Sequence, residues 1–271
     1  MTGKITHIAL DMGGVVLHID HEQAVSRFEE IGVADARQYL NPYHQQGLFG
    51  QLEGGQISAE AFVTELSKLI HKPLTHEQCL YAWLGYLDGI PQRNLDKINA
   101  LRESGYRVCL LSNTNPFFFE WADSARFDGN GHSLREYFDS VYVSFECRLL
   151  KPSREIYEHV LRSEGIRPEN LLFIDDSERN TEAAAALGIR TLQVETNSDW
   201  TSAMDIYIVE QFIKHKSRLF REESGVEGVR KQVGDTLEMV DGAFLPGEDD
   251  LERMAELLLV FEKHLSATSA G

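Results

Sequence analysis

The chain of 271 residues has only three cysteines, Cys79, Cys109 and Cys147, too few and too scattered for a disulfide framework. They form no Cys-x-x-Cys pair and have no histidine at metal-ligand spacing, which argues against a structural zinc site and for a reduced, intracellular protein. No apolar run approaches the ~18 residues needed to span a bilayer. The amino terminus shows no charged-then-apolar leader, so the expected location is the cytoplasm. Positive charge is also scarce: 26 Lys and Arg stand against 43 Asp and Glu, a formal net charge of −17. Nucleic acid and anionic membrane surfaces would repel such a chain and are not expected partners. Glycine and proline are modest, repeats and low-complexity tracts are absent, and 42% of the residues are hydrophobic. A globular protein follows, longer than one typical domain of about 100 to 200 residues.

What the chain does contain is a set of apolar runs that end in polar side chains. Ile5-Thr6-His7-Ile8-Ala9-Leu10 leads to Asp11, followed by Gly13-Gly14. A carboxylate at a strand tip with glycines behind it suggests a phosphate-sized site, because backbone can crowd an anion only where no Cβ intervenes. Taken alone, Asp11 reads more simply as a turn or cap residue. Three further segments change that balance. Val108-Cys109-Leu110-Leu111 runs into Ser112-Asn113-Thr114-Asn115, and Leu171-Leu172-Phe173-Ile174 runs into Asp175-Asp176. Between them Leu149-Leu150 leads to Lys151-Pro152, a cation placed just before a helix opening at Ser153.

The remaining pattern organises the chain. From 21 to 90 the apolar spacing is helical, with Val25, Phe28 and Ile31 on one face and Phe62, Leu66, Leu69 and Ile70 on another. Thr75 and Gln78 fit a capping box, and Pro91 opens a helix that ends at Gly105. After that, strands near 107–111, 140–144, 171–174 and 190–194 alternate with helices near 116–124, 154–164 and 178–187, which implies right-handed crossovers and a parallel sheet. The expected fold is α/β: a Rossmann-like core of residues 1–20 and 91–200, an all-helical cap of residues 21–90 inserted after strand 1, and a helical C-terminal extension, 201–271. An insert at that point lies above the strand tips, where it can act as a lid. In the extension, Ile206 to Phe220 and Leu251 to Leu265 suggest two amphipathic helices that pack on the chain's own body or join a homodimer.

The order Asp11, Ser112-Asn113, Lys151-Pro152, Asp175-Asp176 with Asn180 resembles the four motifs of the haloacid dehalogenase superfamily, over residues 5 to 200. The segments around Asp11, Asn113 and Asp175 look like the group containing bacterial alpha-D-glucose-1-phosphate phosphatase. The resemblance implies a Mg²⁺-dependent phosphatase acting on a small phosphate ester through an aspartyl-phosphate on Asp11. Asp11, Asp176 and the Gly13 carbonyl would hold the metal, with Asp175 as a further or indirect ligand and Asn180 behind it. Ser112 and Asn113 would donate to the phosphoryl oxygens, and Lys151 would limit repulsion between phosphate and carboxylates. Glu53-Gly54-Gly55-Gln56 resembles the substrate-facing loop of such a cap, with Gln46 and Phe49 nearby; an exposed glycine turn is the alternative.

One position departs from the superfamily. Two residues after the nucleophile, where a second aspartate normally serves as general acid and base, stands Gly13. Such help is typically worth about 10² to 10⁴ in rate. The acid could come from Asp20 or His18, although Asp20 also reads as a helix cap. A good leaving group could instead lessen the need for it, which makes a sugar phosphate such as a hexose 1-phosphate the expected substrate. Two rival readings remain at this level: a metal-independent haloacid dehalogenase, favoured faintly by Phe117-Phe118-Phe119 with Trp121, and a catalytically weak phosphate-ligand sensor.

Overall fold

The computed structural model describes residues 5–40 and 47–207. The chain enters through β1 (His7–Leu10), whose last three residues are wholly buried, so a continuous apolar run rather than an alternating one builds this strand. It then passes through a short strand, β2 (His18–Ile19), into the helical insert. The insert holds α1 (His21–Ile31), α2 (Ala36–Tyr39), α3 (Gly47–Glu53), α4 (Ala59–Leu69) and α5 (His76–Trp83), and returns through β3 (Leu87–Gly89). β2 and β3 pair antiparallel and form the two-stranded stem of the insert. The sequence pattern showed no strand here, because two or three residues are too few for alternation to register.

The alternating half follows: α6 (Gln92–Glu103), β4 (Arg107–Ser112), α7 (Pro116–Ala122), α8 (Leu134–Tyr137), β5 (Ser140–Val143), α9 (Ser144–Cys147), α10 (Arg154–Glu164), β6 (Leu171–Asp175), α11 (Glu178–Ala185) and β7 (Arg190–Gln193). Five strands form one parallel sheet in the order β5-β4-β1-β6-β7. β1 therefore lies at the centre, with β4 leaving on one side and β6 on the other. The crevice at such a reversal, beyond the carboxyl ends of the strands, is where ligands of open α/β sheets bind.

Local signals explain the helix ends. Asp20 caps α1 by accepting from the Gln23 N–H at 2.9 Å, and Gly32 closes it in the left-handed region at φ 111°. Thr75 and Gln78 form the expected capping box on α5. The core of the insert is aromatic: Phe49 packs edge-on against Phe28 and Phe62, each at 5.1 Å, and Trp83 lies 5.2 Å from Phe28. Phe49, noted in the sequence as lying near that loop, belongs to the interior of the insert. Phe117 joins this cluster, Phe119 and Trp121 are buried, and Phe118 lines the cleft over the sheet.

The chain divides into two compact units, Met1–Ser198 and Asp199–Gly271. Sheet and helical insert share the first. In the second, residues 200–207 are helical, while the two C-terminal helices expected further on, the homodimer expected through them, and Gln46 all lie outside the described residues. No described helix is long and apolar enough to cross a membrane.

Candidate active site

β1 ends at Asp11, and the chain turns back at once, with the Leu17 N–H donating to the Met12 carbonyl at 2.9 Å and the Gly14 N–H to the Leu17 carbonyl at 2.8 Å. Asn94 supports this turn from α6, donating to the Val15 and Val16 carbonyls at 2.9 and 3.0 Å. Gly14 sits at φ +77°, and a Cβ there would lie 2.4 Å from Asp176 Oδ2. Glycine is required at that position because a carboxylate occupies the space a side chain would fill.

Lys151, only 4% exposed, bridges two acids: its Nζ donates to Asp175 Oδ2 at 2.6 Å and lies 2.9 Å from Asp11 Oδ1. Burial opposes the charge of the ammonium, but Asp11 and Asp175 outweigh it and hold Lys151 above its ordinary value. Asp175, fully buried, also accepts from the Ser177 N–H at 2.8 Å and from Asn180 Nδ2 at 3.0 and 3.1 Å. Asp176 accepts only from the Thr196 hydroxyl, at 2.6 Å, among the described side-chain bonds.

The acids outnumber the cation. Asp11, Asp175 and Asp176 can each offer an oxygen within 4.8 Å of the others, against one ammonium. Burial pushes Asp11 up to about 7, with Lys151 pulling it down and the two neighbouring carboxylates pushing it further up. Burial raises Asp176 as well. A site of hard oxygen donors with uncompensated negative charge fits a divalent cation of the magnesium type, whose own charge would reverse both shifts. Asp11 and Asp176 keep oxygens for such an ion. The oxygens of Asp175 also accept from Lys151, Ser177 and Asn180, so this acid anchors the ammonium as well as standing within the acidic cluster.

The remaining sequence candidates divide in two. Gly13, Ser112, Asn113, Asn180 and Lys151 all line one cleft with Asp11 and Asp176, about 160 Å³ in volume. The Asn113 side chain, however, does not aim at a phosphoryl group: its Nδ2 donates to the Lys151 carbonyl and its Oδ1 accepts from the Lys151 N–H, both at 2.9 Å. That amide spans two motifs and sets the height of the lysine, which leaves Ser112 and backbone N–H groups as the donors on this wall. Asp20 is spent on its helix cap, and His18 is not among the cleft-lining residues.

Thr196 and Asn197 were missed by the sequence reading. Thr196 holds Asp176, and Asn197 clamps the entry to the insert, accepting from the Ile19 N–H at 2.8 Å and donating to the Ile19 carbonyl at 3.0 Å. Their place just after β7, at a strand tip like the other motifs, was the signal available.

Asp11, the Lys151 ammonium and the paired acids Asp175 and Asp176, gathered at one edge of a parallel sheet, form a site suited to a small anionic group. Sequence comparison agrees, since the profile of haloacid dehalogenase-like hydrolases matches residues 5–188 and the chain belongs to that family. D-ribitol-5-phosphate phosphatase from Bacteroides thetaiotaomicron is 39% identical over 204 residues, 75% of this chain and 98% of its own length. Among solved structures, a HAD-like hydrolase from Porphyromonas gingivalis shares 40% identity with a TM-score of 0.72, over 76% of this chain and 98% of that one. A HAD family enzyme from B. thetaiotaomicron, solved with magnesium and inorganic phosphate, shares 34% identity with a TM-score of 0.67, over 72% of this chain and 97% of that one.

Proposed function

We propose that this protein is a Mg²⁺-dependent phosphoric monoester hydrolase acting on a small phosphorylated polyol or sugar, through an aspartyl-phosphate on Asp11. The observation that carries the reading is the Lys151 bridge between Asp11 and Asp175 with Asp176 left partly free beside it. That constellation leaves one carboxylate to attack, one ammonium to offset the charge of the incoming phosphate, and a pair of acids to hold a cation. The 39% identity to a ribitol-phosphate phosphatase favours a primary ester of a polyol over the hexose 1-phosphate expected from sequence. Three free cysteines favour the cytoplasm.

The geometry supports the following roles. Asp11, Asp176 and the Gly13 carbonyl would hold Mg²⁺, which neutralises charge on the phosphoryl oxygens. Lys151 holds the Asp11 carboxylate in place for attack and balances part of the charge that builds on the phosphoryl group. Asp175 fixes the ammonium, and Asn113 fixes the backbone that carries it. Ser112 donates to a phosphoryl oxygen. Phosphate release from a panel of polyol 5-phosphates, hexose 1-phosphates and activated aryl phosphates, with Mg²⁺ and with chelator, tests the reading. Mg²⁺-dependent turnover of a polyol or sugar phosphate is the expected result. Cleavage of activated aryl esters alone, or equal rates in chelator, would overturn it.

A further inference from the structure

A primary alkoxide is a poor leaving group and needs a proton, yet Gly13 offers no side chain where the family places its acid. The cleft wall carries few groups able to give one. Asp11, Lys151 and Asp176 are engaged with one another or with Thr196, and Asp20 and His18 are removed as described. Two further side chains with an acidic carboxyl or phenol line the cleft, Glu53 and Tyr86. Tyr86 stacks on Trp83 at 6.1 Å and 21°, as part of the insert's aromatic packing.

Glu53 has no such structural task. It ends α3, is 9% exposed, and lines the cleft opposite the strand tips. Among the described residues its carboxyl has no hydrogen-bond or ion-pair partner. Burial raises its carboxyl above the ordinary glutamate value. The backbone that follows is locked to the sheet side of the same unit. Gly55, at φ +64°, lies so close to the Phe145 carbonyl that a Cβ would fall 2.1 Å from its oxygen, and a Cβ on Gly54 would meet Leu150 at 3.5 Å. The segment, for which the sequence left open a substrate-facing loop or an exposed glycine turn, is a close-fitting joint that delivers one acid to the cleft.

We propose that Glu53, supplied by the helical insert, is the proton donor to the leaving oxygen and the proton acceptor for the hydrolytic water. The proposal rests on the phosphatase reading above. In the first half-reaction an Asp11 oxygen bonds to phosphorus, the bond from phosphorus to the ester oxygen breaks, and its electron pair and the Glu53 proton together give the free alcohol. In the second, water bonds to phosphorus, the Asp11 oxygen leaves as carboxylate, and the water's proton returns to Glu53. One phosphate and one alcohol are released per water consumed, and both side chains are restored. The arrangement makes acid catalysis depend on the insert, so that a proton is available only where the insert covers the ester.

Leaving-group dependence tests this. In Glu53→Gln, turnover of a polyol 5-phosphate should fall by about 10² to 10⁴. With 4-nitrophenyl phosphate, whose leaving group needs no proton, the variant should still release a stoichiometric first burst of nitrophenolate at near the wild-type rate. A slow phase should follow, limited by hydrolysis of the aspartyl-phosphate. Thermal unfolding of the variant checks that it is folded, and a retained burst keeps the phosphatase reading intact whatever the alkyl ester does. A raised KM with unchanged kcat and no slow phase would reduce Glu53 to a substrate contact and overturn the proposal. So would the same leaving-group pattern in Tyr86→Phe but not in Glu53→Gln. Absence of phosphate release from every ester by the wild type would instead sink the phosphatase reading and this proposal with it.

Discussion

The sheet tips and the helical insert handle polar groups in opposite ways. At the tips, Asp175 and Lys151 are buried and saturated with partners, so each charge is held by another. In the insert, interior contacts are apolar, and the one buried acid among the described residues, Glu53, stands without a partner. A saturated network fixes geometry, since every member would lose a partner on moving. A lone buried acid fixes a protonation state instead. The two regions thus supply different things to one cleft: one supplies position and charge balance, the other a neutral acid.

Breaking the first region should cost most. Asp11→Asn removes the nucleophile, and phosphate release should fall by at least about 10³-fold in a steady-state assay while the fold is retained. Lys151→Met leaves Asp175 buried with its charge unbalanced, which should lower the unfolding free energy by about 3 to 5 kcal/mol in a denaturant titration. Stability equal to wild type would mean that Asp175 does not depend on the lysine.

Smaller effects sharpen the contrast. Gly14→Ala places a Cβ against Asp176 Oδ2, and Mg²⁺ affinity measured by calorimetry should drop about 10- to 100-fold, as for other disturbed metal-ligand supports. The second region should respond to pH. Burial, with Asp11 adding to it, raises Glu53 from 4.5 in the unfolded chain to about 8 in the fold. The folded state therefore holds this proton more tightly, and stability contributed by neutral Glu53 is present at low pH and lost as pH rises through that window. Glu53→Gln should consequently gain on the wild type between pH 5 and pH 8, by about 3 kcal/mol in unfolding experiments. A difference that does not change with pH would mean the carboxyl is solvated.

The alternating half of the chain was readable because its runs are long and its ends are marked. The strand expected near 171–174 is found at Leu171–Asp175, and the helix expected near 154–164, stopped by Gly165, is found at Arg154–Glu164. Asp11, Ser112-Asn113 and Asp175-Asp176 were readable for a related reason, since they lie at the ends of β1, β4 and β6 and a parallel sheet gathers its tips at one edge. The Asn113 amide was not. Motif spacing reports that a side chain reaches the site, not which of two nearby groups it meets, and the backbone of Lys151 met it first. Thr196 and Asn197 escaped because their partners, Asp176 and Ile19, lie 20 and 178 residues away.

Order along the chain gave the alternating strands and helices, because local signals suffice to predict a parallel sheet, and motif resemblance added the hydrolase family and the candidates Asp11, Lys151, Asp175 and Asp176. Tertiary structure alone decided which acid anchors the ammonium, that Asn113 holds a backbone, that Phe49 packs inside the insert, and that Glu53 is buried at the cleft, where its carboxyl is pushed up. These depend on burial and on partners far apart in sequence, and a carboxyl's proton is governed by what surrounds it in space.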